Sequence, residues 1–288
     1  MAVDAAQMST QLAGLDALEL GDRGRPSRLR RLWAAFWPKA GAVALALAAW
    51  QIVVWSHRWT TYVLPPPRPV LSALWHDWRT TVFWRSIGTT MRRAATGYAV
   101  AVVLGLIVGG LVARSQILRA AVGSFITGLQ TMPSVTWVPL ALILFKLGDG
   151  AIVFVVVIGA APSIANGFIS GIDHVPPLLL RSGRMLGARG AGLWRHVIVP
   201  AALPSLVSGL KQGWAFAWRS LMAGEIISQV GHRVSIGQQL EAAQTYNSSV
   251  GLIEWMIVVL MIGIAVDAVF GVADRSLRRR WGLTAAAD

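Results

Sequence analysis

The chain contains no cysteine. That excludes a disulfide framework, a thiolate metal site and a cysteine nucleophile. Charge is also scarce. Asp, Glu, Lys and Arg make up 14% of the 288 residues, against about 25% in an ordinary soluble domain. Acidic residues are the rarest. Between Asp77 and Asp267 only Asp149, Asp173, Glu225, Glu241 and Glu254 occur. They do not supply the facing polar groups that an intramembrane hydrolase or metal site needs. The histidines never pair at metal-ligand spacing, and HExxH, CxxC, GxSxG and GxxxxGK[ST] are all missing. The expectation is a non-enzyme with no cofactor, no metal and no catalytic residue. If such a chain moves a solute uphill, the energy comes from a partner or an ion gradient.

What the chain has in quantity is apolar sequence, 55% of its residues. Six runs stand out, near 39–55, 93–113, 120–145, 150–171, 200–224 and 251–273. Each is close to the roughly 20 residues that cross the hydrocarbon as a helix. The fold class is therefore an all-α membrane protein with about six transmembrane helices. Gly105 and Gly109 form a small-xxx-small pattern that lets two backbones approach. The first run begins near Gly41 and reads as a retained anchor rather than a cleaved signal. The domain reading is a disordered basic tail over 1–38, a membrane domain over 39–273 and a short tail over 274–288.

The net charge of +13 does not mark a nucleic-acid binder. The arginines sit in short blocks between apolar runs, not in a stripe interleaved with aromatics on a soluble domain. With the N-terminus inside, segments 1–39, 113–119, 172–199 and 274–288 carry 6, 2, 4 and 4 basic residues. The outer segments 56–91, 146–149 and 225–250 carry 4, 1 and 1. This bias of 16 to 6 places both termini in the cytoplasm. The outer segment 56–91 contains the proline run Leu64 to Pro69, expected to be extended. Trp75, Trp78 and Trp84 follow at multiples of three, which predicts one amphipathic helix at the membrane interface.

Charges inside the runs are functional candidates. Arg92 and Arg93 open the second run. Lys211 and Arg219 lie in the fifth, eight residues apart, so they face nearly the same side. Glu225 follows six residues after Arg219, and a direct pair with it requires bending. Lys211 and Arg219 read either as snorkelling or paired structural charges, or as the lining of a water-filled anion route. Met132, Pro133 and Trp137 lie where two prolines, Pro133 and Pro139, interrupt the third run. Freed carbonyls there must face protein or a wet cavity, so the break is either a pore-lining kink or a structural bend.

The segment 172–199 is too long for a simple helix connection. It contains Arg181, Arg184, Arg189 and Arg195 and, after Asp173, no acidic residue. Pro176-Pro177 starts a helix-compatible stretch to Met185, Gly187 punctuates it, and a second short helix fits Ala191 to Ile198. Pro200 and Pro204 mark the start of the fifth run. A short helix with backbone exposed at a glycine suits docking by a soluble partner.

Gly187, nine residues, then Val197-Ile198-Val199-Pro200 resembles the EAA-x3-G-x9-I-x-LP loop of ATP-binding-cassette (ABC) importer permeases. The positions of the EAA triplet hold Arg181, Ser182 and Gly183, so the opening acidic residue is replaced by a cation. LPPPRPVLSALW, TTMRRAATGYAVAVVLGLIVGGLVARS, TMPSVTWVPLALILFKLGDG and WRSLMAGEII are similar to the nitrate, sulfonate, taurine and bicarbonate subgroup. The likeness runs from about Leu64 to Arg280. It implies a type I importer permease fold with a cytoplasmic coupling helix, in the plasma (inner) membrane. It also implies cytoplasmic ATPase subunits, a second permease copy and an external solute-binding protein as partners, with membrane lipid around them. Coupling to the ATPase would fall on Arg181, Ser182, Gly183, Leu186, Gly187, Ala188, Val197 and Pro200. The implied cargo is a small anion, an aliphatic sulfonate such as taurine, or nitrate. The competing class is an ion-coupled carrier working without an ATPase, which calls for inverted repeats with broken helix pairs. No such symmetry is visible in the sequence.

Overall fold

The computed structural model describes residues 28–228 and 234–280. Most of the expected N-terminal tail (1–27) and the end of the C-terminal tail (281–288) lie outside the described residues. The chain forms two units, Met1–Pro67 and Arg68–Asp288.

In the first unit, α1 (Arg28–Trp55) starts ahead of the first apolar run and carries Pro38 inside it. Residues 28–38 of the expected tail are thus helical. Its apolar part, Phe36–Trp55, is long enough to cross a membrane. The indole of Trp50 donates to the Pro65 carbonyl at 3.1 Å and holds the proline run back against the helix end.

The second unit opens with α2 (Pro67–Asp77). The extended reading fails for the last two prolines of the run. Pro67 and Pro69 enter the first turn of α2, where a missing N–H has no intrahelical partner to lose. The single tryptophan-lined helix also divides in two. Thr80 adopts extended backbone and its hydroxyl accepts from the Phe83 N–H at 3.2 Å, capping α3 (Thr81–Arg114). Trp78 therefore sits in a turn and Trp84 on α3, with their rings meeting edge-on at 4.7 Å.

Ser115 ends α3 and caps α4 (Gln116–Thr131). Pro133 then turns the chain by 101° through a 3-10 turn, Ser134–Trp137, into α5 (Val138–Phe145). The proline-rich interruption is thus a sharp break. Next come α6 (Asp149–Asp173) and α7 (Pro177–Met185), then a helical turn Ala191–Leu193 and a π turn Trp194–Ile198. These lead into α8 (Val199–Ser228), α9 (Ile236–Thr245) and α10 (Ser249–Arg280). Pro200 and Pro204 lie in the opening turns of α8, at the start of the fifth run. Among the described residues, five helices have the length and apolarity of a membrane span, and the bent pair α4–α5 makes a sixth if taken as one.

Helix α6 is the centre of the second unit, half of its apolar stretch being buried against its neighbours. Small residues set how closely they approach. A side chain at Gly105 would strike Ile164 and the Ala161 carbonyl, and one at Gly109 the Ala165 carbonyl. The small-xxx-small pattern is thus used inside the chain, for α3 on α6. On the other side, Gly167 and Gly209 bring α6 and α8 into backbone contact. Small residues at the seam replace the hydrophobic drive that lipid cannot supply.

Candidate functional site

Three constellations concern function, and the first is the loop between α6 and α8. Its helix α7 ends in a Schellman motif. The Ala188 N–H donates to the Gly183 carbonyl at 2.9 Å, and the Gly187 N–H to the Arg184 carbonyl at 3.1 Å. This arrangement requires the left-handed backbone of Gly187, φ +86°. Open space surrounds the Cα, so the glycine is demanded by the backbone and not by crowding. Gly183 has the opposite reason. It is buried, and a Cβ there would lie 2.8 Å from a Val197 methyl and 3.1 Å from Leu193. Of the three residues that open the loop motif, this one preserves a size requirement, because α7 folds back onto the π turn.

The remaining loop residues divide by exposure. Arg181, Ser182 and Gly187 face solvent, Ala188, Val197 and Pro200 are half-buried, and Met185 and Leu186 project with 86% and 88% of their surfaces open. At the loop's base, Arg119 pairs with Asp173 at 2.8 Å, tying the start of α4 to the end of α6. Gly183→Leu should open the α7 hairpin while leaving the spans folded. Proteolysis within 181–195 should then accelerate by tenfold or more at unchanged helix content. An unaltered cleavage rate would show that the Val197 contact does not hold the loop.

The second constellation is a cavity of about 270 Å³ at the break between α4 and α5. Met132, Pro133 and Trp137 from the break line it, with Ile158 and Gly159 from α6 and Phe216 and Arg219 from α8. Four of the five residues expected along a route are therefore together. The Arg219 guanidinium lies over the Phe216 ring at 5.9 Å, and no carboxylate among the described residues pairs with it. Lys211 is elsewhere. Its ammonium meets Asp267 of α10 at 2.9 Å, in a separate groove with Ser208, Gln212 and Asp274. Eight residues leave two side chains about 80° apart on a helix, and α10 takes up that difference.

The third constellation was not legible in the sequence. Glu225 does not bend toward Arg219. It pairs with Arg93 of α3 at 3.0 Å, and the two side chains are 0% and 3% exposed. Arg93 also meets Asp149, the first residue of α6, at 2.7 Å, and Arg92 approaches the same carboxylate at 3.8 Å. The Thr90 hydroxyl donates to Glu225 at 2.9 Å and accepts from the Ile236 N–H at 3.0 Å. The Gly237 N–H donates to Glu225 at 3.1 Å. A side chain at Gly237 would collide with Glu225. The signal available in sequence was an arginine and a glutamate inside apolar runs; their partnership spans 132 residues.

Span-length helices, a sharply bent pair and a capped polar loop ahead of α8 are the features of a multi-pass membrane protein among the described residues. The chain belongs to the family of binding-protein-dependent transport system inner membrane components, which it matches over residues 101–279, more than half its length. It is 27% identical over 233 residues to a putative ABC transporter permease protein of Methanocaldococcus jannaschii, covering 80% of this chain and 86% of that one. It is 25% identical over 249 residues to the taurine transport system permease protein TauC of Escherichia coli K12 (83% and 86% covered). With the nitrate import permease protein NrtB of Synechococcus elongatus it shares 26% over 206 residues (68% and 73%).

Solved structures show the same fold. They include an amino acid ABC transporter (TM-score 0.56, 20% identity, 73% and 98% covered). The inward-facing MetNI methionine ABC transporter gives a TM-score of 0.58 at 19% identity (68% and 96%). The chain is thus a multi-pass inner-membrane permease subunit of an ABC importer. ATP hydrolysis belongs to a separate subunit, and the family implies an ATPase and a solute-binding protein as partners.

Proposed function

We propose that this permease imports a small anion, an aliphatic sulfonate such as taurine or nitrate, along a route past Met132, Pro133, Trp137 and Arg219. The observation that carries the substrate class is Arg219, a cation in a cavity with no carboxylate partner among the described residues. A guanidinium in that position attracts an oxyanion and offers it a planar donor fork. Relatives named for taurine and nitrate transport agree with this chemistry. Lys211, neutralised by Asp267, contributes to the groove on the other side of α8.

The loop from Arg181 to Pro200 receives the ATPase. Its exposed Met185 and Leu186 supply an apolar contact, and Gly187 fixes the angle at which the chain leaves α7. Gly183 and Val197 join the loop to α8, so a push on α7 moves the helix that bears Arg219. Two copies of the chain enclose the route, with both termini and the loop on the ATPase side, the side with the excess of arginine.

The test is uptake of radiolabelled taurine and nitrate into proteoliposomes, with and without the copurified ATPase and binding protein. ATP-dependent uptake of either anion is expected, and none by the permease alone. Gly187→Leu should reduce that uptake tenfold or more while ATP hydrolysis continues, since a leucine in left-handed backbone costs about 1–2 kcal/mol and distorts the loop. Uptake without the ATPase, or full coupling in Gly187→Leu, overturns the reading.

A further inference from the structure

The buried ion pair anchors more than the spans. Helix α9 presents its first turn to Thr90 and Glu225: the Ile236 N–H is taken by the threonine hydroxyl, the Gly237 N–H by the carboxylate. The Ser235 hydroxyl accepts from Gln238 at 3.4 Å. An anion from another helix thus completes the cap of α9, where the helix dipole favours it. The same carboxylate grips Arg93, which grips Asp149. Asp149 begins α6 directly after the turn that ends α5, where Lys146 holds a positive φ of 55°. Glu225 also lies six residues beyond Arg219 on α8, an axial rise of about 9 Å.

We infer that Glu225 is a positioning residue that ties α9 to the Arg219 cavity. Through Thr90 and Glu225, a displacement of α9 pulls directly on α8. Through Arg93 and Asp149 it reaches the α5–α6 turn, and so two walls of the cavity move together. The C-terminal end of α9 is exposed at Gln244, Thr245 and Tyr246, the last with 82% of its surface open. Burial makes the Glu225–Arg93 link stiff: an ion pair out of water cannot exchange its partners for solvent, and loss of one partner strands the other. The inference rests on the reading of the Arg219 cavity as the route, but its test does not require transport.

The absence of cysteine lets a single introduced thiol report without background. Ser134→Cys places one in the cavity wall and Leu178→Cys one on α7, far along the chain from the network. Labelling by a methanethiosulfonate bearing an ethylsulfonate group is measured in the full-length permease, in the Glu225→Gln and Thr90→Val backgrounds. Hydrogen exchange of residues 234–246 is followed in parallel. Thr90→Val keeps both charges in place and removes only the hydroxyl, so it serves if Glu225→Gln does not purify.

The expected result is exchange at α9 faster by tenfold or more, a change of at least fivefold in labelling at position 134, and unchanged labelling at 178. Faster exchange with unchanged labelling at 134 overturns the relay. Unchanged exchange overturns the anchoring itself. Equal changes at 134 and 178 show global loosening and also overturn it. If anion uptake proves independent of Arg219 while labelling at 134 still responds, the route reading fails and the relay stands.

Discussion

Gly209→Leu is expected to eliminate folded protein. A Cβ at position 209 would lie 2.8 Å from the Gly167 Cα, and one at 167 would lie 2.5 Å from the Gly209 Cα. No side chain stands between the two helices at this point, so no rotamer change can make room. The same seam continues through Gly171 against the Ala202 carbonyl and Gly213 against Ile164. Alanine at 209 forces the backbones apart by a fraction of the excess and should cost about 1–3 kcal/mol, the usual scale of overpacking. Leucine must separate α6 from α8 along the seam, at a cost above that range and set against a total stability of only about 5–15 kcal/mol. The check is the yield of monodisperse protein in detergent with its thermal midpoint. A Gly209→Leu preparation that elutes normally and melts within a few degrees of the parent would show that the two backbones are not in contact.

Arg219→Met should do the reverse, leaving the fold and removing transport. Arg219 is exposed to its cavity and supports no ion pair among the described residues, so its loss strands no buried charge. A hydrogen bond to a charged group is worth about 1.5–3 kcal/mol, and a bidentate pair engages two. Uptake at subsaturating anion should therefore fall by roughly a hundredfold or more, with the thermal midpoint shifted by no more than a few degrees. Arg219→Lys keeps the charge and loses the planar fork, and should fall between. Arg219→Glu should abolish uptake altogether. Initial rates of taurine and nitrate uptake in proteoliposomes decide the matter; rates unaffected in Arg219→Met would remove the cavity from the route.

The parts of the fold legible in sequence are those specified locally. Span positions follow from apolar runs, because lipid leaves a helix no other way to satisfy its backbone. The break at Met132–Pro133 follows from two prolines, and the turn at Gly187 from a glycine after a short helix. Local reading fails where the decisive contact is distant. Six-residue spacing left Glu225 near Arg219, yet its partner comes from α3. Lys211 and Arg219 looked like one lining until α10 supplied Asp267 to the first alone. The tryptophan period ran unbroken through Trp84, although the Thr80 cap ends it, since a hydroxyl that satisfies an orphan N–H outweighs a repeat of ring spacing. Gly183 appeared only as a departure from the usual loop opening. Its role is visible once Val197 is seen to occupy the space where its side chain would be.

The charges of the second unit also bear on how it responds to a membrane voltage. Arg92 and Arg93 balance Asp149 and Glu225, and Lys211 balances Asp267. Movement of these groups carries no net charge through the field. Arg219 is different, for each elementary charge crossing the full potential is worth about 2.3 kcal/mol per 100 mV. On the proposed route a bound monoanion cancels that charge. The loaded cavity can then reorient electrically silent, while the empty one carries a positive charge whose outward return an inside-negative potential opposes.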